Sequence, residues 1–193
     1  MTKYCLNKTI IFRVIDIYWW GTMKMKIPNR IHIIGSVGSG KTTLARTLAN
    51  KYNIPYFELD NVVWERHKSG DIRRSDIDRE ENLENIIHTE LWIIEGTHFQ
   101  PWVYKSLKSA DLIIFLDTPY GLRRFRIIRR YLRQLIGVES ANYTPSFSIF
   151  KAMFRWNKIF EKKSKSQILE MLQEEKMNYI ILRNGKDIDH YFY

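Results

Sequence analysis

Eight consecutive residues constrain this chain more than any others: Gly35 to Thr42 read GSVGSGKT, filling the pattern GxxxxGK[ST] completely. The β-rich run RIHII precedes them and the helix-favouring run TLARTLANKY follows, so the string sits in a strand, turn, helix context. Glycines at 35, 38 and 40 let the backbone enter the left-handed region and approach an anion closely. Successive N–H groups and the N-terminus of the following helix point their positive ends at that anion. Lys41 adds a mobile charge for the outer phosphates, and the Thr42 hydroxyl suits a magnesium ion bridging two of them. A plain Gly-Ser turn between a strand and a helix needs neither residue. The expected nucleotide-binding set is Gly35, Ser36, Gly38, Ser39, Gly40, Lys41, Thr42 and Thr43.

With 193 residues and 45% hydrophobic content, the chain suffices for one α/β domain with a buried core and falls short of two large ones. One cysteine, Cys5, excludes an internal disulfide and a thiolate metal cluster. The expected setting is therefore reducing and cytoplasmic. Lysine and arginine number 31 against 21 acids, a formal charge of +10 that favours anionic partners without choosing among nucleotides, nucleic acid and counter-ions. Residues 9–20 are apolar, yet Arg13 and Asp16 interrupt them and they are too few to cross a bilayer. Residues 1–25 are expected to be an N-terminal extension outside the core, an added edge strand being the alternative. Residues 26–193 form the expected single domain.

Short β-rich runs at 30–34, 55–59, 92–95, 112–117 and 178–182 alternate with helical patterns near 42–52, 76–90, 101–108, 120–136, 147–160 and 166–176. This alternation implies a parallel sheet with helices on both faces, an αβα sandwich in three layers. LIIFLD is apolar nearly throughout, as a strand covered on both faces must be. Ser75 followed by Asp76, Ile77 and Asp78 reads as a helix N-cap. Residues 137–146 have the composition of a turn-rich connection.

Ligands of open parallel sheets gather beyond the carboxyl ends of the strands, so the residues finishing each run matter most. The second run ends at Asp60, the third at Glu95 and the fourth at Asp117, and all three are expected to face the phosphates. Such carboxylates orient metal-bound water or position an acceptor hydroxyl, although an acid at a strand end also serves as a turn-former. Thr42, Glu95 and Asp117 are the candidate magnesium ligands.

After Pro119 come arginines 123, 124, 126, 129, 130 and 133, with Leu122, Phe125, Ile128, Leu132 and Leu135 forming an apolar stripe at helical spacing. Arg126, Arg130 and Arg133 share a face, so two or three guanidinium groups could reach one phosphate chain. The plainer alternative, a solvated arginine face, suits Arg123, Arg124, Arg129 and Arg133 best. The aromatic residues Phe150, Phe154, Trp156 and Phe160 among later lysines suit lid packing more than base stacking.

IHIIGSVGSGKTTLARTLA, IPYFELDNVVW, LWIIEG, SADLIIFLDTP and FRIIRR together resemble the adenylate-kinase-like P-loop proteins, in particular the small group called DNA topology modulation proteins. The resemblance runs from Arg30 to the C-terminus. It implies a P-loop NTPase sheet in the order 2-3-1-4-5 of nucleoside monophosphate kinases, a basic helical lid over residues 124–165, and ATP with Mg2+. It also implies phosphate binding by Lys41, metal assistance by the acid ending the third strand, base packing by Arg126 and phosphate contact by Arg130. Asp60 corresponds to an acidic acceptor-binding position. Glu95-Gly96 stands where the group has Asp-Gly, Thr97-His98 stands in place of Asn-Tyr, and the acceptor segment 64–75 is short.

The expected activity is transfer of the γ-phosphoryl group of Mg-ATP to a small molecule or nucleotide, with Lys41, Arg126, Arg130 and Asp60 as catalytic residues. A nucleic-acid-associated ATP-binding regulator is the rival, and it would bind DNA or RNA with steep salt dependence. No helix-turn-helix, zinc finger or aromatic RNA signature accompanies the basic charge.

Overall fold

Five short runs lie side by side, and the three central ones are buried along nearly their whole length, as apolar strands covered on both faces must be. In chain order the strands are β1 (Arg30–Gly35), β2 (Tyr56–Glu58), β3 (Trp92–Gly96), β4 (Leu112–Leu116) and β5 (Tyr179–Leu182). In the computed structural model, which describes residues 25–67, 70–139 and 146–193, they form one parallel sheet ordered β2-β3-β1-β4-β5. This is the expected 2-3-1-4-5 arrangement. The expected extension up to residue 24, and residues 140–145 of the expected connection, lie outside the described residues.

The helices are α1 (Lys41–Tyr52), α2 (Leu59–Val63), α3 (Asp76–Ile87), α4 (Tyr104–Ser109), α5 (Tyr120–Leu135), α6 (Phe147–Ile159) and α7 (Lys165–Glu174). On one side of the sheet Ile31, Ile33, Ile93 and Ile114 pack with Leu44 and Leu48 of α1 and with Ile188 and Phe192 near the C-terminus. On the other, Ile34, Ile94, Ile113 and Phe115 meet Leu83 of α3, Leu107 of α4 and Ile168 and Leu172 of α7. Each fully buried aliphatic side chain contributes about 1.5–3 kcal/mol to holding these layers together. Ser75 caps α3 as expected, accepting a hydrogen bond from the Asp78 N–H at 3.1 Å.

Several expected boundaries shift. The second strand stops at Glu58, and Asp60 lies in the first turn of α2, because burying Leu59, Val62 and Val63 together requires helical rather than alternating geometry. Trp64–Glu65 and Ile72–Arg73 form a small antiparallel hairpin in the stretch expected to be an acceptor segment. Helices α6 and α7 are joined by a π-helical turn, Phe160–Ser164, rather than separated by a loop. The stripe on α5 faces outward: Leu122, Phe125, Ile128, Leu132 and Leu135 are exposed while Arg123 and Ile127 are buried.

His32 is the one buried polar side chain of β1, and its Nδ1 has no hydrogen-bond partner among the described residues. Burial alone lowers its pKa from 6.5 to about 3. The unfolded chain therefore takes up a proton that the fold refuses, so stability is lost as pH falls from 6.5 towards 3. The slope reaches about 1.4 kcal/mol per pH unit for one such group. His32→Val is expected to flatten the pH dependence of the urea midpoint across that interval. An unchanged slope would show that His32 does not carry the acid sensitivity.

Candidate active site

β1 delivers Gly35 to the carboxyl edge of the sheet and α1 begins six residues later at Lys41, leaving a turn that must reverse tightly. Gly38 and Gly40 manage this with φ of 75° and 98°. A Cβ on Gly38 would also lie 2.8 Å from the Arg123 carbonyl oxygen. The Ser39 N–H donates to the Ser36 carbonyl at 3.2 Å. Remote elements brace this loop: the Ser36 hydroxyl donates to Asn157 Oδ1 at 3.1 Å, and the Ser39 carbonyl accepts from Thr118 at 2.9 Å and from Arg126 at 2.7 Å. The buried Ser39 hydroxyl has no partner among the described residues, which leaves a donor inside the loop. Such a cradle of amides at a helix N-terminus fits a polyphosphate.

Lys41 Nζ donates to the Ser36 carbonyl at 3.3 Å and stands 3.9 Å from Glu95 Oε2. Parallel pairing of β1 with β3 sets Ile33 opposite Glu95, which brings the carboxylate level with the start of the loop. The Thr42 hydroxyl donates to Glu95 Oε1 at 2.6 Å. Burial pushes the Glu95 carboxyl above its usual range, against the pull of Lys41 and Thr42. No group of three or more His, Cys, Asp or Glu gathers into a metal cage among the described residues. A hydroxyl beside one carboxylate nevertheless fits magnesium, which keeps most of its waters and takes oxygens from bound phosphates.

The three strand-end acids do not share one environment. Asp60, carried by α2, accepts a hydrogen bond from His98 Nε2 at 3.0 Å, and this bond chiefly holds its carboxyl below the usual range, with Lys41 and Arg66 adding smaller pulls. His98 in turn lies against Trp102, with ring centroids 5.6 Å apart. Asp117 forms an ion pair with Lys165 of α7 at 2.7 Å. Only Glu95 meets the loop's hydroxyl.

The arginines also separate. Arg126 contacts the loop, Arg130 donates to Met153 Sδ at 3.2 Å, and Arg133 pairs with Glu139 at 3.1 Å. Among the described residues the shared helical face thus brings one guanidinium, that of Arg126, to the phosphate turn, where two or three were expected to reach one phosphate chain. Arg123, assigned to a solvated face from its periodicity, is buried against Phe160 and Tyr120 and paired with Glu161. Asn157, Thr118 and His98 were not singled out as site residues. Asn157 has one local signal, an amide that helical spacing sets on the same side of α6 as Phe150 and Met153.

A shikimate kinase family model matches residues 37–82, which hold most of the loop, α1, β2 and α2. An adenylate kinase from Wigglesworthia glossinidia brevipalpis is 26% identical over 160 residues, covering 76% of this chain and 73% of that protein. Shikimate kinase 1 from Erwinia tasmaniensis is 26% identical over 122 residues, covering 57% of this chain and 70% of its own. Among solved structures, a shikimate kinase from Acinetobacter baumannii in complex with shikimate superposes with a TM-score of 0.50 at 19% identity, covering 84% of this chain and 89% of that one. That likeness establishes the three-layer fold with its five-stranded parallel sheet. The sequence matches support a P-loop kinase-like family.

Proposed function

We propose that this chain, an ATP-dependent phosphotransferase of the small-molecule kinase kind, moves the γ-phosphoryl group of Mg-ATP to a hydroxyl of an acceptor bound beside Asp60 and His98. The observation carrying this reading is the 2.6 Å hydrogen bond from Thr42 to Glu95 with Lys41 alongside. It places a hydroxyl, a carboxylate and an ammonium at the mouth of one phosphate cradle.

Amides of the loop from Gly35 to Thr43 would hold the phosphate chain, with Lys41 neutralising its outer oxygens. Thr42 and Glu95 would hold magnesium, whose charge offsets that of the bridging phosphates. Arg126 would exchange the Ser39 carbonyl for a phosphate oxygen, and Arg130 would follow as residues 124–165 close as a lid that excludes water. Asp60 accepts a hydrogen bond from the acceptor hydroxyl and aims its oxygen at the γ-phosphorus. The bond to the β,γ-bridging oxygen breaks, ADP departs, and the proton passes to Asp60. Because His98 keeps Asp60 a weak base, proton transfer comes late, in keeping with a loose transition state.

The narrower likeness to DNA topology modulation proteins, a cytoplasmic setting and a single unit over residues 26–193 belong to this same reading. They rest on the motifs and on the one continuous sheet. No helix among the described residues is long and apolar enough to cross a membrane.

The test is ADP release, followed by a coupled assay, with hydroxylated metabolites and nucleoside monophosphates offered one at a time. An acceptor that stimulates turnover and emerges phosphorylated is expected. Asp60→Asn should then lower kcat about 100-fold, within the range for one general acid–base group, while KM for ATP stays within about threefold. ATP hydrolysis that no acceptor changes would replace the kinase with an ATPase.

A further inference from the structure

Helix α5 is amphipathic in the reverse sense for a helix packed on a sheet domain. Its inward side carries Arg123 and Ile127, while Phe125, Leu132 and Leu135 are exposed by 60%, 55% and 55%. Steps of three and four residues align these with Leu122 and Ile128 into one stripe. At 1.5 Å per residue the sixteen-residue helix is about 24 Å long. Arg129 and Arg133 border the stripe on one side and Arg124 on the other.

Charge decides what can cover this face. From Tyr120 to Val138, and throughout α6, there is no carboxylate. Of the six arginines on α5, Arg123 is buried against Glu161, Arg126 reaches the phosphate loop, Arg130 meets Met153 and Arg133 pairs with Glu139. Arg124 and Arg129 are thus the cations left beside the stripe, and α6 adds Lys151, Arg155 and Lys158. A second copy docked through the same face would set like charges against one another. A nucleic acid would satisfy the arginines and leave the leucines in water. An anionic bilayer surface serves both at once, accepting apolar side chains below the headgroups and guanidinium groups among the phosphates.

We propose that α5 lies in the plane of an anionic phospholipid membrane surface, stripe inward, making this a peripheral membrane-associating protein. Lying on a bilayer needs no spanning helix. The proposal does not rest on the kinase reading: it is argued from the exposed stripe, and Arg126, which reaches the phosphate loop, is not part of that stripe.

The experiment is flotation of the full chain with vesicles of phosphatidylcholine alone or mixed with phosphatidylglycerol. At low salt the anionic vesicles are expected to bind about tenfold more protein or better, and the binding should fall as salt is raised. The double variant Phe125→Gln, Leu132→Gln should lose that binding about tenfold while its melting temperature and circular dichroism stay those of the parent. Absence of binding to anionic vesicles would overturn the proposal. So would binding that survives in the double variant, which would assign it to another part of the chain. A concentration-dependent dimer in sedimentation velocity, dissolved by the same substitutions, would give the face to a second copy instead.

Discussion

Lys41→Ala is expected to lower kcat/KM for Mg-ATP by about 100- to 1,000-fold, the loss of roughly 2.7–4 kcal/mol found when one charged or polar stabiliser of a developing anion is removed. The fold should survive, because Lys41 makes only a 3.3 Å hydrogen bond to the Ser36 carbonyl and a 3.9 Å pairing with Glu95. Calorimetry with Mg-ATP and steady-state kinetics on the same preparation separate the two effects, and circular dichroism guards against unfolding. Arginine at this position would keep the charge but present a rigid fork where a compact ammonium is required, so Lys41→Arg should recover little. ATP handling equal to the parent's in Lys41→Ala would remove the phosphate cradle from the mechanism.

Glu95→Gln should reduce turnover by about two orders of magnitude and raise the magnesium concentration needed for half-maximal rate, since an amide oxygen keeps the geometry and surrenders the charge. Its pH behaviour is distinctive. Burial raises the Glu95 carboxyl, so the parent's activity should begin to fall on the acid side above the ordinary glutamate pKa of 4.5. That limb should be missing from Glu95→Gln. The linked stability effect runs opposite to that of His32: with its pKa raised in the fold, Glu95 binds its proton more tightly there than in the unfolded chain. Between 4.5 and the raised value the ligand-free fold therefore gains stability as pH falls. An acid limb identical in parent and variant would assign the titration elsewhere.

The phosphate turn and the sheet were legible because their signals are local. Glycine spacing, a cation and a hydroxyl at set positions, and uninterrupted apolar runs all speak within a window of ten residues, and the order 2-3-1-4-5 follows from the resemblance those runs carry. Asp60 was misplaced by one element because LD followed by NVV reads equally as a strand's end and as a helix's first turn. Only the burial of Leu59 beneath Gly96 chooses between them. Periodicity showed that α5 is two-faced, yet it could not say which face turns inward. Arg123 resolves that by finding Glu161 and two aromatic rings, partners that lie as far as 38 residues along the chain. The partner of Asp117 is likewise remote: Lys165 lies 48 residues away. Side-chain pairings over such distances leave no mark in local composition.

The bond from Ser36 to Asn157 joins residues 121 apart, and the same turn also leans on Thr118 and Arg126. A nascent chain that has left the ribosome only as far as β4 thus carries the entire glycine motif without the struts that give it shape, and contacts of such long range form late. Affinity for ATP should accordingly emerge only after α6 has been made and has packed against the turn, well after the glycine motif itself is complete.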